Sequence, residues 1–118
     1  MYWTEITERR VGDVTILELR GHLTLADDDK RLMRRVAALL AEGSRTLLLN
    51  LHHVSYIDSP GIGEIVGAFT RASRAGGTLR ICEISPRVRE VLEATNLDSV
   101  LEIFDSEEQA LRTMQARE

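Results

Sequence analysis

Residues 46–63 read TLLLNLHHVSYIDSPGIG. The first part, Thr46 to Leu51, is an apolar run of the kind found in a strand covered on both faces. From Ile62 the pattern changes, and Ile62, Ile65, Val66 and Phe69 recur at i, i+3, i+4 and i+7. That spacing predicts a helix from about Pro60 to Ala75, closed by Gly76-Gly77. Ser59 is expected to cap it, with Pro60 as its first helical residue. Strand, short loop and capped helix in succession form half of a β-α-β unit, and this unit sets the fold.

Upstream, Val14 to Leu19 (VTILEL) is rich in β-formers and follows the turn signal Gly12-Asp13. Paired with Trp3 to Thr7, it predicts an N-terminal hairpin. A helix follows, with Thr24 as candidate cap, Asp27, Asp28 and Asp29 at its positive end and Arg31, Arg34 and Arg35 beyond. Leu32, Val36, Leu39 and Leu40 mark its inner face, and Gly43 its end. Downstream, Thr78 to Cys82 predicts a strand, and Ser85-Pro86 opens a helix whose inner face is Val88, Val91 and Leu92. Asn96 is a candidate left-handed terminator, Val100 to Phe104 a last strand, and Ser106 to Gln109 a capping box before a helix with Leu111 and Met114 inward. The order ββαβαβαβα implies one α/β domain over residues 1–118, with a mixed, mainly parallel sheet packed by helices. In such sheets, sites form at the carboxyl ends of strands, and Asp58 to Gly63 lies at one of them.

Totals narrow the function. A net charge of −4 argues against nucleic acid as partner, because phosphates require a basic face. Cys82 is the only cysteine, so no internal disulfide can form and a reducing compartment is expected. No apolar run approaches a membrane span, and MYWTEITERR carries no signal-peptide pattern, so a cytoplasmic protein without membrane insertion is expected.

Catalytic readings fail on spacing. Gly61, Gly63 and Gly67 miss the dinucleotide fingerprint, and no Gly-Lys-Ser/Thr follows. An aspartyl-phosphate site needs a lysine near the phosphoryl group, and Lys30 is the only one. Ser59 lacks the glycine of a hydrolase elbow. His52 and His53, as neighbours in an extended segment, should point to opposite faces, which argues for solvated loop histidines over a shared metal site. His22 stands alone near a turn, and Cys82 reads as a small buried residue. No enzyme activity, cofactor or metal is expected. Two compatible readings of Ser59 remain: a helix cap, and a phosphorylation switch. For the switch, Asp58 adds negative charge, Gly61 and Gly63 leave the surface bare, and the amides of Gly61 and Ile62 would receive the phosphate.

Asp-Ser-x-Gly-x-Gly after a central apolar strand, in this order of elements, resembles the STAS domain of bacterial anti-sigma-factor antagonists. GDVTILELRG, TLLLNL, IDSPGIG, GGTLRIC, VLEATNL and SEEQAL carry the resemblance over nearly the whole chain. It implies a non-enzymatic regulator whose unphosphorylated form binds an anti-sigma factor serine kinase and frees the sigma factor. The kinase phosphorylates Ser59, which weakens the complex, and a serine phosphatase reverses this. Asp58, Ser59, Pro60, Gly61, Ile62 and Gly63 are the implied partner-binding residues. The chain departs from the family pattern at Pro60, usually Ser or Thr; at Gly21-His22-Leu23-Thr24, usually acidic; and at Asn50, usually Asp. The alternative is a STAS subunit of a lipid-transport ABC system or of a stress-signalling assembly, acting by contact alone.

Overall fold

The computed structural model of the chain describes residues 5–23 and 30–116. The expected Thr24 cap, the Asp27 to Asp29 cluster and the Trp3 end of the hairpin lie outside those residues. Strand β1 (Glu5–Val11) turns at Gly12-Asp13, with Gly12 at φ +60, into β2 (Val14–Leu23). Then follow α1 (Arg31–Ala41), β3 (Thr46–Ile57), α2 (Ser59–Arg74), β4 (Thr78–Cys82), α3 (Pro86–Ala94), β5 (Ile103–Phe104) and α4 (Glu107–Ala116). Among the described residues these strands form one sheet in the order β1-β2-β3-β4-β5, antiparallel at β1/β2 and parallel elsewhere.

The parallel crossovers all advance in one direction, so the right-handed rule places α1, α2 and α3 on the same face. Their inward residues Leu32, Val36, Ile65, Ala68, Val88 and Leu92 close one core against Leu17, Leu19, Leu47 and Leu49. The opposite face is smaller. There α4 covers Val14, Ile16, Leu48, Cys82 and Phe104 with Ala110 and Met114. Leucines on both faces of β3 explain its unalternating run.

The helix ends follow from local chemistry. After α1 the Ser44 amide returns to the Leu39 carbonyl (3.0 Å) and Gly43 takes φ +103; after α2 the Gly77 amide returns to Ala72 (2.8 Å) and Gly76 takes φ +80. Both are Schellman closures, and glycine is needed because an L side chain is strained there. Ser85 Oγ accepts the Val88 amide at 3.1 Å, and Asn96 sits at φ +60, as expected. Ser106 Oγ accepts the Gln109 amide, but Gln109 reaches back to the Asp105 amide, one residue before the cap.

Three expectations need correction. The last strand is only Ile103–Phe104, because a 3-10 turn at Leu97–Ser99 takes up the Val100 and Leu101 amides through the Leu97 carbonyl. Second, the face that α2 buries runs through Gly61, Glu64, Ile65, Ala68 and Ala72, while Ile62 and Phe69 pack at its margin. Small residues at the centre let the helix axis lie close to the sheet.

Third, β3 continues six residues past Leu51 to Ile57. Between Glu18 and Arg20, β2 advances two residues while β3 advances from Asn50 to His53; a second extra residue falls between Val54 and Tyr56. These β-bulges convert the period of burial from two to three, so Leu51, Val54 and Ile57 all face the core. They also bring His52 and His53 to the same exposed side with ring centroids 4.7 Å apart, rather than to opposite faces. Both are strand residues, not loop residues.

Candidate functional site

β4 last pairs with β3 at Asn50, so the rest of β3 extends past the neighbouring strand with β2 alongside it. At about 3.3 Å per residue the seven residues from Leu51 to Ile57 advance roughly 20 Å. The turn into α2 therefore projects from the carboxyl edge of the sheet.

Asp58, not Ser59, caps α2. Its backbone is extended (φ −116, ψ −178), and its Oδ1 accepts the Gly61 amide at 2.9 Å. Ser59 is already the first helical residue and Pro60 the second, where a missing N–H costs nothing. Either residue could have served from sequence, since both side-chain types cap helices. What selects Asp58 is tertiary: its amide donates to the Leu23 carbonyl at 3.2 Å, which fixes it in the extended position before the first turn. A carboxylate also suits the positive end of the helix better than a hydroxyl. Replacing Asp58 with Ala should cost about 1 kcal/mol of stability, whereas Asn, an equally good cap, should stay within a few tenths. Urea unfolding of both variants checks this; equal loss from both would assign the effect to charge instead.

The cap assignment releases the Ser59 hydroxyl. Ser59 is exposed and its Oγ makes no hydrogen bond among the described residues. Pro60 and Gly63 are exposed beside it, Asp58 and Ile62 are half-buried, and Gly61 is buried. Only Gly63 leaves surface bare, with nothing within 4 Å of the position of a Cβ. At Gly61 a Cβ would stand 2.7 Å from the Leu23 carbonyl carbon and closer still to its oxygen, so this glycine serves packing. The expected phosphate amides are also taken: Gly61 by the Asp58 side chain, and Ile62 by the Asp58 carbonyl at 2.9 Å. A phosphate on Ser59 would gain from the helix dipole but would compete with Asp58 for those donors.

Sequence reasoning passed over several neighbours. Tyr56 is 39% exposed, with the Arg87 guanidinium 5.8 Å and the His22 ring 5.7 Å from its ring centre. His22 is thus a strand residue in an aromatic cluster, not an isolated turn residue. An exposed tyrosine beside the projecting turn is the kind of residue that anchors protein contacts. Its signal was present in the sequence, two residues before Asp58.

Glu64 is the second. It is 6% exposed, on the inner face of α2, and its Oε1 accepts the Leu32 amide (3.1 Å) and the Met33 amide (3.4 Å). Helix α1 begins after Lys30 at φ +57 with no side-chain cap, so Glu64 supplies that service from the neighbouring helix. A glutamate on the Gly61–Ile65–Ala68 stripe was the available clue.

Asn50 does not line the turn. It is buried mid-strand, where Nδ2 donates to Glu107 Oε1 and Oδ1 accepts the His52 amide, each at 2.9 Å. Arg9 binds the same Glu107 and holds its carboxyl below the usual range, with the Asn50 contact adding to the effect. An aspartate at position 50 would set two carboxylates face to face, which accounts for the amide here. Around this network His52 Nδ1 lies 3.4 Å from Glu83 and His53 Nε2 3.9 Å from Glu18. Among the described residues no cluster of three or more His, Cys, Asp and Glu side chains is placed to hold a metal.

Cys82 is fully buried, and burial, helped by Glu107 and Glu83, pushes its thiol up to about 12. At pH 8 only about one molecule in ten thousand would carry the thiolate. Iodoacetamide should label Cys82 at least about a hundredfold more slowly in the native protein than in urea. Equal rates would contradict its burial.

The STAS domain family model matches residues 5–110. The chain belongs to the STAS domain family. This STAS domain is 28% identical over 102 residues to the anti-sigma F factor antagonist of Paenibacillus polymyxa, covering 86% of this chain and 87% of that protein. An anti-sigma factor antagonist from Mycobacterium paratuberculosis superposes with a TM-score of 0.83 at 16% identity, over 95% of this chain and 94% of its own. The phosphorylated form of SpoIIAA, a Bacillus cell fate determinant, superposes with a TM-score of 0.71 at 20% identity, over 92% and 98%. At those identities the two structures speak to the fold alone. Among the described residues no helix of this STAS domain is long and apolar enough to cross a membrane.

Proposed function

We propose that this STAS domain is an anti-sigma factor antagonist that docks the start of α2 on an anti-sigma factor serine kinase and is switched off by phosphorylation of Ser59. The observation that carries the reading is the free Ser59 hydroxyl: Asp58 does the capping, so the hydroxyl is exposed and without a partner among the described residues. A capping serine would have to surrender a hydrogen bond to react, and this one does not. In the transfer, Ser59 Oγ bonds to the terminal phosphorus of ATP, the bridging P–O bond breaks, ADP leaves, and the hydroxyl proton passes to a base of the kinase. The product places about −1.5 to −2 charges beside Asp58. Two neighbouring anions repel an acidic docking surface, and the phosphoryl oxygens draw on amides that Asp58 uses. A phosphatase restores the hydroxyl by hydrolysis. The name of the 28% identical relative, an anti-sigma F factor antagonist, supports the antagonist part of this reading.

Competition tests it. Added to a complex of the cognate anti-sigma kinase with its sigma factor, the unphosphorylated domain should displace the sigma factor in gel filtration, and the phosphorylated domain should not. A sigma complex that persists at saturating unphosphorylated domain rejects the proposal.

A further inference from the structure

At the other end of α2 lies a surface that the Ser59 reading does not use. An open groove of about 600 Å³ runs between α1 and α2, with Met33, Ala37 and Leu40 on one side and Gly67 and Thr70 on the other. Arg71 and Arg74 stand at its rim, both exposed. The lining makes no polar demand, since the Thr70 hydroxyl is turned back on the Val66 carbonyl at 2.9 Å. Four other arginines find acids within the chain, Arg9 with Glu107, Arg35 with Glu8, Arg80 with Glu102 and Arg89 with Asp105, while Arg10, Arg20 and Arg112 form no such pair among the described residues. Arg71 and Arg74 have no acidic partner among the described residues. Their position in the last turn of α2 suits the helix dipole, but that accounts for their sign and not for the apolar hollow between them.

We infer that this groove is a second docking site, for an acidic amphipathic helix of a partner protein. Both walls are helices whose backbone groups are bonded internally, so an extended peptide laid there would leave its own amides unpaired. A helix satisfies its own and needs only an apolar face. Met33 and Leu40 stand seven positions apart, about 10 Å or two turns, with half-buried Met33 and Ala37 carrying most of the accessible apolar surface, which matches anchors at i, i+3, i+4 and i+7. Carboxylates flanking those anchors would meet Arg71 and Arg74, where arginine favours bidentate pairing. The hollow is too open to enclose a small molecule, and a chain of net charge −4 with two cations at the rim does not suit nucleic acid. Arg74 follows Ser59 by fifteen residues on one helix, hence lies about 22 Å from it along the axis. Both surfaces can therefore be occupied together, and the second is expected to be indifferent to the state of Ser59.

The probe is an acetylated, amidated model helix with leucines at i, i+3, i+4 and i+7 and glutamates beside them, titrated into isotopically labelled protein. Saturable amide shifts are expected at Ala37, Leu40, Gly67 and Thr70, with none at Asp58 to Gly63. Replacing Arg71→Glu and Arg74→Glu together, which at these exposed positions gives up their favourable interaction with the helix dipole but no ion pair among the described residues, should weaken binding at least about tenfold at low salt. Ser59→Asp should leave it unchanged. Absence of saturable binding, shifts mapping elsewhere, equal uptake of a peptide with lysines for glutamates, or equal binding to anionic vesicles would each overturn the inference.

Discussion

With the cognate kinase and ATP, Ser59→Ala should take up no phosphate above background, while its stability stays within about 0.5 kcal/mol of the parent. The second half of that result follows from the geometry. The Ser59 hydroxyl is exposed and bonds to nothing among the described residues, and the cap belongs to Asp58. Had Ser59 been the cap, alanine would cost about 1 kcal/mol and confuse loss of reaction with loss of structure. Ser59→Ala should still bind the kinase, because the deleted atom is small and the turn persists. Ser59→Asp adds a carboxylate next to Asp58 and should weaken binding by roughly ten- to a hundredfold, as like charges at a contact do. The measurements are labelled phosphate transfer and calorimetric titration. Undiminished transfer to Ser59→Ala places the acceptor elsewhere, and unweakened binding of Ser59→Asp removes charge as the basis of the switch.

The parts of the fold that sequence revealed are those where local chemistry and tertiary packing agree. Leu32, Val36, Leu39 and Leu40 fall at helical spacing because one face of α1 meets the sheet. Gly43 and Gly76 stop their helices because the chain there needs positive φ. Reading failed where a distant contact decided between locally equal choices. Asp58 and Ser59 are both competent caps, and the Leu23 carbonyl, thirty-five residues upstream of Asp58, selects the first. The two bulges in β3 hid the strand beyond Leu51, since a period of three resembles neither strand nor helix. Glu64 went unrecognised because its partners are amides of another helix. The candidate site itself was legible as a position, the carboxyl end of the central strand. Its internal assignments, which residue caps and which glycine is structural, depended on β2.

The two glycines of the turn should therefore behave oppositely when each is replaced by alanine. At Gly61 the added Cβ meets the Leu23 carbonyl, which is main chain and cannot swing aside as a flexible side chain would. Either α2 lifts from the end of β2 or Leu23 shifts, and both movements strain the Asp58 contacts with the Leu23 carbonyl and the Gly61 amide. Overpacking of about 1–3 kcal/mol plus a weakened cap of about 1 kcal/mol gives a loss of about 2–4 kcal/mol. For a domain of this size that lowers Tm by roughly 10 °C or more. At Gly63 the methyl enters open space inside a helix, where alanine is favoured over glycine by about 0.5–1 kcal/mol. Gly63→Ala should thus raise Tm by a few degrees, yet its methyl stands on the surface proposed to meet the kinase and should weaken that complex. Thermal unfolding of the two variants, followed by titration of Gly63→Ala with the kinase, separates the roles. If Gly61→Ala unfolds with the parent, the close approach of α2 to Leu23 is wrong; if Gly63→Ala is stabilised and binds fully, the partner does not touch that side of the turn.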